Sequence, residues 1–212
     1  MKKALVFPAL IILLTLTGSV LAMWYDVLKA RVTIDTGEVD IEYGKQVRVW
    51  EEEHGKPWVA NCTAEFVEVE NEDLNNPFGN NDLDLNITIV NGYPSYMCKV
   101  QDLQIFNRGT IPVKLNVSSV KAKVLGGDWR VCVKTTDRSG RTIYECDADG
   151  DGKYDINLWG CFTTTEGYQL EPGEWTSFTV ETHIKQDATE GTTYIIQILI
   201  RGIQWNEYPP EE

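Results

Sequence analysis

The chain has 212 residues, 42% hydrophobic and 24% charged, with a formal net charge of −13. That length accommodates one domain with a substantial core. The acidic balance excludes nucleic acid and anionic lipid headgroups as electrostatic partners and fits an exported protein or one that recruits cations.

In chain order, Lys2 and Lys3 precede an apolar run over residues 4–16, and Val20-Leu21-Ala22 closes it with small residues. This is the pattern of a signal peptide over residues 1–22; the run is shorter than the ~20 residues a membrane span needs, so we read it as cleaved and the protein as secreted. Losing Lys2 and Lys3 makes the charge two units more negative. Residues 24–35 then alternate: Leu28, Ala30, Val32 and Ile34 fall on one side, and Lys29, Arg31, Thr33 and Asp35 on the other. Period-2 alternation predicts a strand with one apolar face, free to join its own sheet or a neighbour's.

Further strands are expected at Val39-Ile41-Tyr43, over residues 47–50, and over residues 61–69, where a change of phase between Phe66 and Val67 suggests a bulge or a two-sided strand. Leu83, Leu85, Ile87 and Ile89 predict a strand with Asp82, Asp84, Asn86 and Thr88 outward. Strands follow over residues 97–106, 111–117 and 120–124, the last two in register or separated by a kink at Ser118-Ser119. Residues 128–163 read as a Cys- and Asp-rich elaboration with short strands. Phe178-Val180-Thr182-Ile184 and Tyr194-Ile196-Ile198-Ile200 complete the set; Ile195 and Leu199 make the latter apolar on both faces, as in a central strand. Many short strands, frequent turn signals and no helical period predict an all-β antiparallel sandwich over residues 37–212.

All five cysteines, Cys62, Cys98, Cys132, Cys146 and Cys161, follow the signal, so one or two disulfides and an odd thiol are expected, with the pairing open. Asp147-Ala148-Asp149-Gly150-Asp151-Gly152-Lys153-Tyr154-Asp155 places carboxylates at positions 1, 3, 5 and 9 of a calcium loop, glycine at 6 and the Lys153 carbonyl at 7. Position 12 is Leu158, so the loop is not a complete EF-hand; structural calcium and a solvated acidic turn both remain open. Asn61-Cys62-Thr63, Asn86-Ile87-Thr88 and Asn116-Val117-Ser118 are glycosylation triplets, and Asn86 and Asn116 are the candidates expected to face outward. His54 falls in a loop and His183 beside Glu181 on one strand face. No nucleophile elbow, phosphate-binding loop or dinucleotide fingerprint is present, so no catalytic residue is expected. The tryptophans and tyrosines are spread through the chain, with core packing their default role.

Several stretches together resemble a known family. Trp24-Tyr25 with Val32-Thr33-Ile34-Asp35-Thr36-Gly37-Glu38-Val39-Asp40, then Asn91-Gly92-Tyr93-Pro94-Ser95-Tyr96, Asn107-Arg108-Gly109-Thr110-Ile111-Pro112-Val113 and the closing Gln204-Trp205-Asn206-Glu207-Tyr208-Pro209 are similar to archaeal proteins related to the TasA/camelysin group of secreted biofilm-fibre proteins. The resemblance implies a jelly-roll-like sandwich forming extracellular filaments, as in archaeal bundling pili. The N-terminal segment, residues 23–36, would complete the sheet of an identical subunit, head to tail. Leu28, Ala30, Val32 and Ile34 would then be the donor residues. The alternatives are a monomeric calcium-stabilised surface or adhesin domain and a secreted metallopeptidase of camelysin type; the chain has no His-Glu-x-x-His motif for the last.

Overall fold

The computed structural model describes residues 37–44, 47–51, 59–68, 82–160 and 167–207. Thirteen strands lie among them: β1 (Ile41–Tyr43), β2 (Arg48–Glu51), β3 (Asn61–Glu68), β4 (Asp82–Gly92), β5 (Met97–Asn107), β6 (Val113–Val124), β7 (Arg130–Val131), β8 (Val133–Thr136), β9 (Thr142–Cys146), β10 (Ile156–Gly160), β11 (Gln169–Leu170), β12 (Trp175–Ile184) and β13 (Thr192–Gln204). They form two antiparallel sheets packed as a sandwich. The first runs β1-β5-β12-β10-β9-β8, with β2 also on β5; the second runs β11-β6-β13-β4-β3, with β7 on β6. The Cys- and Asp-rich stretch is built into the architecture, since β8, β9 and β10 continue the first sheet beyond β12.

Alternation along each strand divides core from surface. Leu83, Leu85, Ile87 and Ile89 of β4 and Tyr194, Ile196, Ile198 and Ile200 of β13 are fully buried, and Val100, Leu103 and Ile105 of β5 with Val180 and Ile184 of β12 meet them from the other sheet. Burying each such side chain contributes about 1.5–3 kcal/mol. β13 lies between β6 and β4, the central position its two apolar faces predict.

Bulges adjust that alternation. Between the pairs Leu199–Ser119 and Ile200–Val117, β6 carries one extra residue, Ser118. The strand stays continuous while its inward positions move from Val117 to Val120, which resolves the expected kink as a bulge. A second extra residue falls in β4 at Val90-Asn91 opposite Thr193, and a third in β5 at Gln101-Asp102 opposite Thr179. Asn91 and Asp102 both have φ of 58°. The short polar side chains of Asn and Asp tolerate this left-handed backbone better than larger ones do. Of the two readings of β3, a bulge or a two-sided strand, the bulge is not there: its pairing with β4 is unbroken from Asn61 to Glu68. The apparent phase change arises because Val67 faces solvent on an otherwise regular strand.

Two disulfides resolve the open pairing. Cys62 of β3 joins Cys98 of β5, crossing from one sheet to the other, and Cys132 joins Cys146 at the end of β9. Such bonds persist in oxidising compartments. Cys161 lies outside the described residues. Among the described residues no helix is long and apolar enough to cross a membrane.

Candidate functional site

Leu28, Ala30, Val32 and Ile34 lie outside the described residues, as does His54. What is described is the chain that follows them. Glu38 accepts a backbone bond from Thr110 and donates to the Thr110 hydroxyl, and Asp40 accepts from the amides of Arg108 and Gly109. Ile41–Tyr43 then pairs with Asn107–Ile105. Gly109 is required here: a Cβ would meet the Glu38 carbonyl and the Asp40 amide. The chain from Gly37 onward is therefore fixed to the end of β5.

β1 and β2 divide the edge of the first sheet between them, β1 against residues 105–107 and β2 against residues 98–101 of β5. Facing them across the sandwich is β3, the last strand of the second sheet. Tyr43 stacks on Phe66 at 5.3 Å between ring centroids, linking the two edges. The Glu51 carboxylate accepts the Cys62 amide at 2.8 Å and the Tyr96 hydroxyl at 2.6 Å, closing one end of the β3 edge. The Cys62 N–H thus points away from β4, and by strand alternation so do those of Ala64 and Phe66. No strand among the described residues pairs with this outer edge. Its solvent face carries Thr63, Glu65 and Val67.

Three of the four carboxylates expected as ligands in the acidic loop converge, Asp147, Asp149 and Asp151, and Asp155 does not join them. Asp147 accepts the Gly150 amide through Oδ1 (2.7 Å) and the Gly152 amide through Oδ2 (3.1 Å). Asp149 accepts the Asp151 amide and Asp151 accepts the Lys153 amide, each bending the chain around a carboxylate. Gly150 and Gly152 have φ of 84° and 88°, open to glycine at little cost. Asp147, Asp149 and Asp151 each present a carboxylate oxygen within 4.8 Å of the others, a spacing that fits one hard cation.

Asp155 has a different place from the other acids. It is 2% exposed at the base of the loop, where its Oδ2 accepts the Ala148 amide at 2.7 Å and the Asp149 amide at 3.3 Å. Burial pushes its pKa above 3.8, and the Asp149 and Asp147 charges add to this against the pull of the two amides. The same buried, negative surroundings push the Tyr194 hydroxyl up to about 12. An acid whose folded pKa is raised contributes stability that is present below the unfolded value and lost as pH rises through the folded one. The stability of the wild type relative to Asp155→Asn is therefore expected to fall as pH is raised from about 3.5 to about 7 without divalent cations. Denaturation midpoints across that range check it; a difference that does not change with pH overturns it.

Asn86 and Asn116 are half-buried on the outer face of the second sheet, where Asn86 lies opposite Glu65 and Gln197, and Asn116 opposite Arg201. Asn61 shares that face. Asp82, expected outward, keeps that side of β4 but is only 7% exposed, because Arg201 grips both of its oxygens at 2.7 and 3.0 Å. Arg201→Met removes the two charge-assisted hydrogen bonds from that buried carboxylate and is expected to cost about 2–3 kcal/mol, less than for a fully buried pair because the guanidinium is half-exposed. Urea denaturation of the variant measures it.

Four tryptophans depart from the expected core packing, while several tyrosines follow it. Trp50, Trp129, Trp175 and Trp205 are each more than 40% exposed and none lies in the core, whereas Tyr96, Tyr144 and Tyr194 are buried. His183 projects on the outer face of β12 against Trp159, ring centroids 5.7 Å apart. No signal in the one-dimensional pattern separates these tryptophans from core ones, since exposure depends on which face of the sandwich each strand presents.

No family model, curated protein or solved structure matches the chain.

Proposed function

We propose that this protein is the subunit of an extracellular filament, resembling the TasA/camelysin-related fibre proteins. Residues 24–35 of one copy, with Leu28, Ala30, Val32 and Ile34 turned inward, would add as a strand to the sandwich of the next. The observation that carries this reading is the outer edge of β3, an eight-residue strand with no strand partner among the described residues. The donor segment is long enough to span it, and its basic Lys29 and Arg31 suit an edge whose solvent face carries Glu65. Main-chain hydrogen bonds would supply affinity and the alternating apolar side chains would supply register. Such a contact is head to tail and propagates without closing. The two disulfides support an oxidising, extracellular setting.

Deleting residues 23–36 while keeping residues 1–22 for export is expected to abolish filaments in negative-stain micrographs and leave a folded monomer. Filaments of unchanged length and number from the deleted chain rule the reading out.

Calcium belongs to the same proposal as a structural ion held by Asp147, Asp149 and Asp151, with the Lys153 carbonyl as the expected backbone ligand and Asp155 bracing the loop through the Ala148 and Asp149 amides. Saturating calcium at about a hundredfold its Kd is expected to add about 2.7 kcal/mol. For a body of this size that raises Tm by roughly 5–11 °C. A Tm that is the same in millimolar calcium and in chelator identifies the loop as a solvated turn. Glycans on Asn86 and Asn116 would occupy the outer face of the second sheet and leave the β3 edge accessible; a mass shift lost on treatment with an amidase specific for asparagine-linked sugars tests for them.

A further inference from the structure

The outer face of the first sheet carries a row of side chains that the filament reading does not use. Trp50 of β2 lies opposite Lys99 of β5, Lys99 opposite Glu181 of β12, and Glu181 opposite Trp159 of β10. Four neighbouring strands thus present tryptophan, lysine, glutamate and tryptophan in one line. Three strand spacings separate the two indoles by ~14 Å. Trp50 is 47% exposed. Lys99 Nζ and Glu181 Oε1 are 2.5 Å apart. Met97 and Gln101 join Trp50, Lys99 and Glu181 around a shallow pocket of about 330 Å³.

From this we infer a binding site for a neutral glycan, distinct from the strand-exchange edge. The half-exposed Trp50 indole beside this pocket offers an apolar ring face to a ligand. The backbone groups of the inner strands at this row are consumed in sheet pairing, so side chains alone read the ligand. Lys99 supplies donors, Glu181 acceptors and Gln101 both, and together they carry no net charge. A pyranose matches this set. Its C–H face lies on an indole, and its hydroxyls donate to Glu181 while accepting from Lys99. A charged ligand would compete against one half of the ion pair. An extended peptide needs free backbone edges, which the middle of this face lacks. The length of the row selects an oligosaccharide over a single sugar.

Titration of the purified full chain with cellohexaose, mannohexaose and chitohexaose in turn, followed by indole fluorescence, tests the site. Binding of at least one is expected, weakened about tenfold or more by Trp50→Ala, as for truncation of an aromatic anchor. Glu181→Gln, which retains the fold-bearing contacts of the strand, is expected to weaken it as well. Trp205→Ala, at the far end of the other sheet, is expected to leave it unchanged. Absence of binding for all three sugars up to ~10 mM overturns the inference. So does tighter binding of adenosine, which would mark an aromatic-heterocycle site, or equal loss in Trp205→Ala. Deletion of residues 23–36 separates the two proposals: filaments are expected to vanish and glycan binding to persist.

Discussion

Asn107→Ala is expected to destabilise the protein by about 4 kcal/mol, an unusually large effect for a single polar side chain. Asn107 is 0% exposed at the end of β5. Its Nδ2 donates to the carbonyls of Ile111 (2.9 Å) and Leu170 (3.0 Å), and its Oδ1 accepts the Gly109 amide (3.0 Å). Its own amide donates to the Glu174 carbonyl and its carbonyl accepts the Gly173 amide. Truncation orphans two buried backbone groups and the half-buried Ile111 carbonyl, at about 1–3 kcal/mol for each buried group, partly offset where water enters the space left behind. The turn it shapes also receives the chain after residue 36, through Glu38 and Asp40. Anchoring of the proposed donor segment therefore depends on this side chain as well. Asn107→Asp is expected to be no milder, because it sets a carboxylate against two carbonyl oxygens. Urea denaturation with an unchanged m-value reads both variants; a loss below about 1 kcal/mol would show that solvent satisfies these groups.

Removing the Cys62–Cys98 bond is expected to cost about 4 kcal/mol. It closes a loop with a sequence separation of 36, against 14 for Cys132–Cys146, and loop-closure entropy puts the second at about 3 kcal/mol. The consequence differs in kind as well. Cys62–Cys98 ties the outermost strand of the second sheet to the other sheet, whereas Cys132–Cys146 ties β9 to the chain between β7 and β8. Paired alanine replacements at 62 and 98 are expected to lower Tm by roughly 8–16 °C, and those at 132 and 146 by less. They are also expected to loosen β3 first, seen as early amide exchange over residues 61–68. Equal Tm losses for the two pairs would show that local packing, not loop closure, sets the contribution.

Most of the framework was legible from alternation alone. β4, β6, β12 and β13 follow from mostly apolar inward residues at every second position; the break at Ser118-Ser119 reads in sequence as either in register or a kink, and the β13 register makes it a bulge. The Asp147–Asp155 loop was legible because its contacts are local: carboxylates reach amides two to seven residues away. Other features escaped because their partners are remote. Asp82 reads as a surface residue until Arg201 is brought beside it across 119 positions. Asn107 reads as a turn former, and only the arrival of Leu170 makes it a buried hub. In β3 the exposed Val67 breaks the apolar alternation without adding a residue, so of the two readings, bulge or two-sided strand, the pairing with β4 removes the bulge.

The N-terminal strand pattern, the faces of each strand, the acidic loop and the all-β class are properties of neighbouring residues, and period-2 geometry writes them directly into the sequence. Which cysteines pair, which edge lacks a strand partner among the described residues and which tryptophans share a surface depend on strand order and register. Trp50, Lys99, Glu181 and Trp159 come from four separate segments and align because each strand's register is set by burial of its opposite face. The core thus decided their juxtaposition, through many apolar contacts spread along the chain, and no local pattern records it.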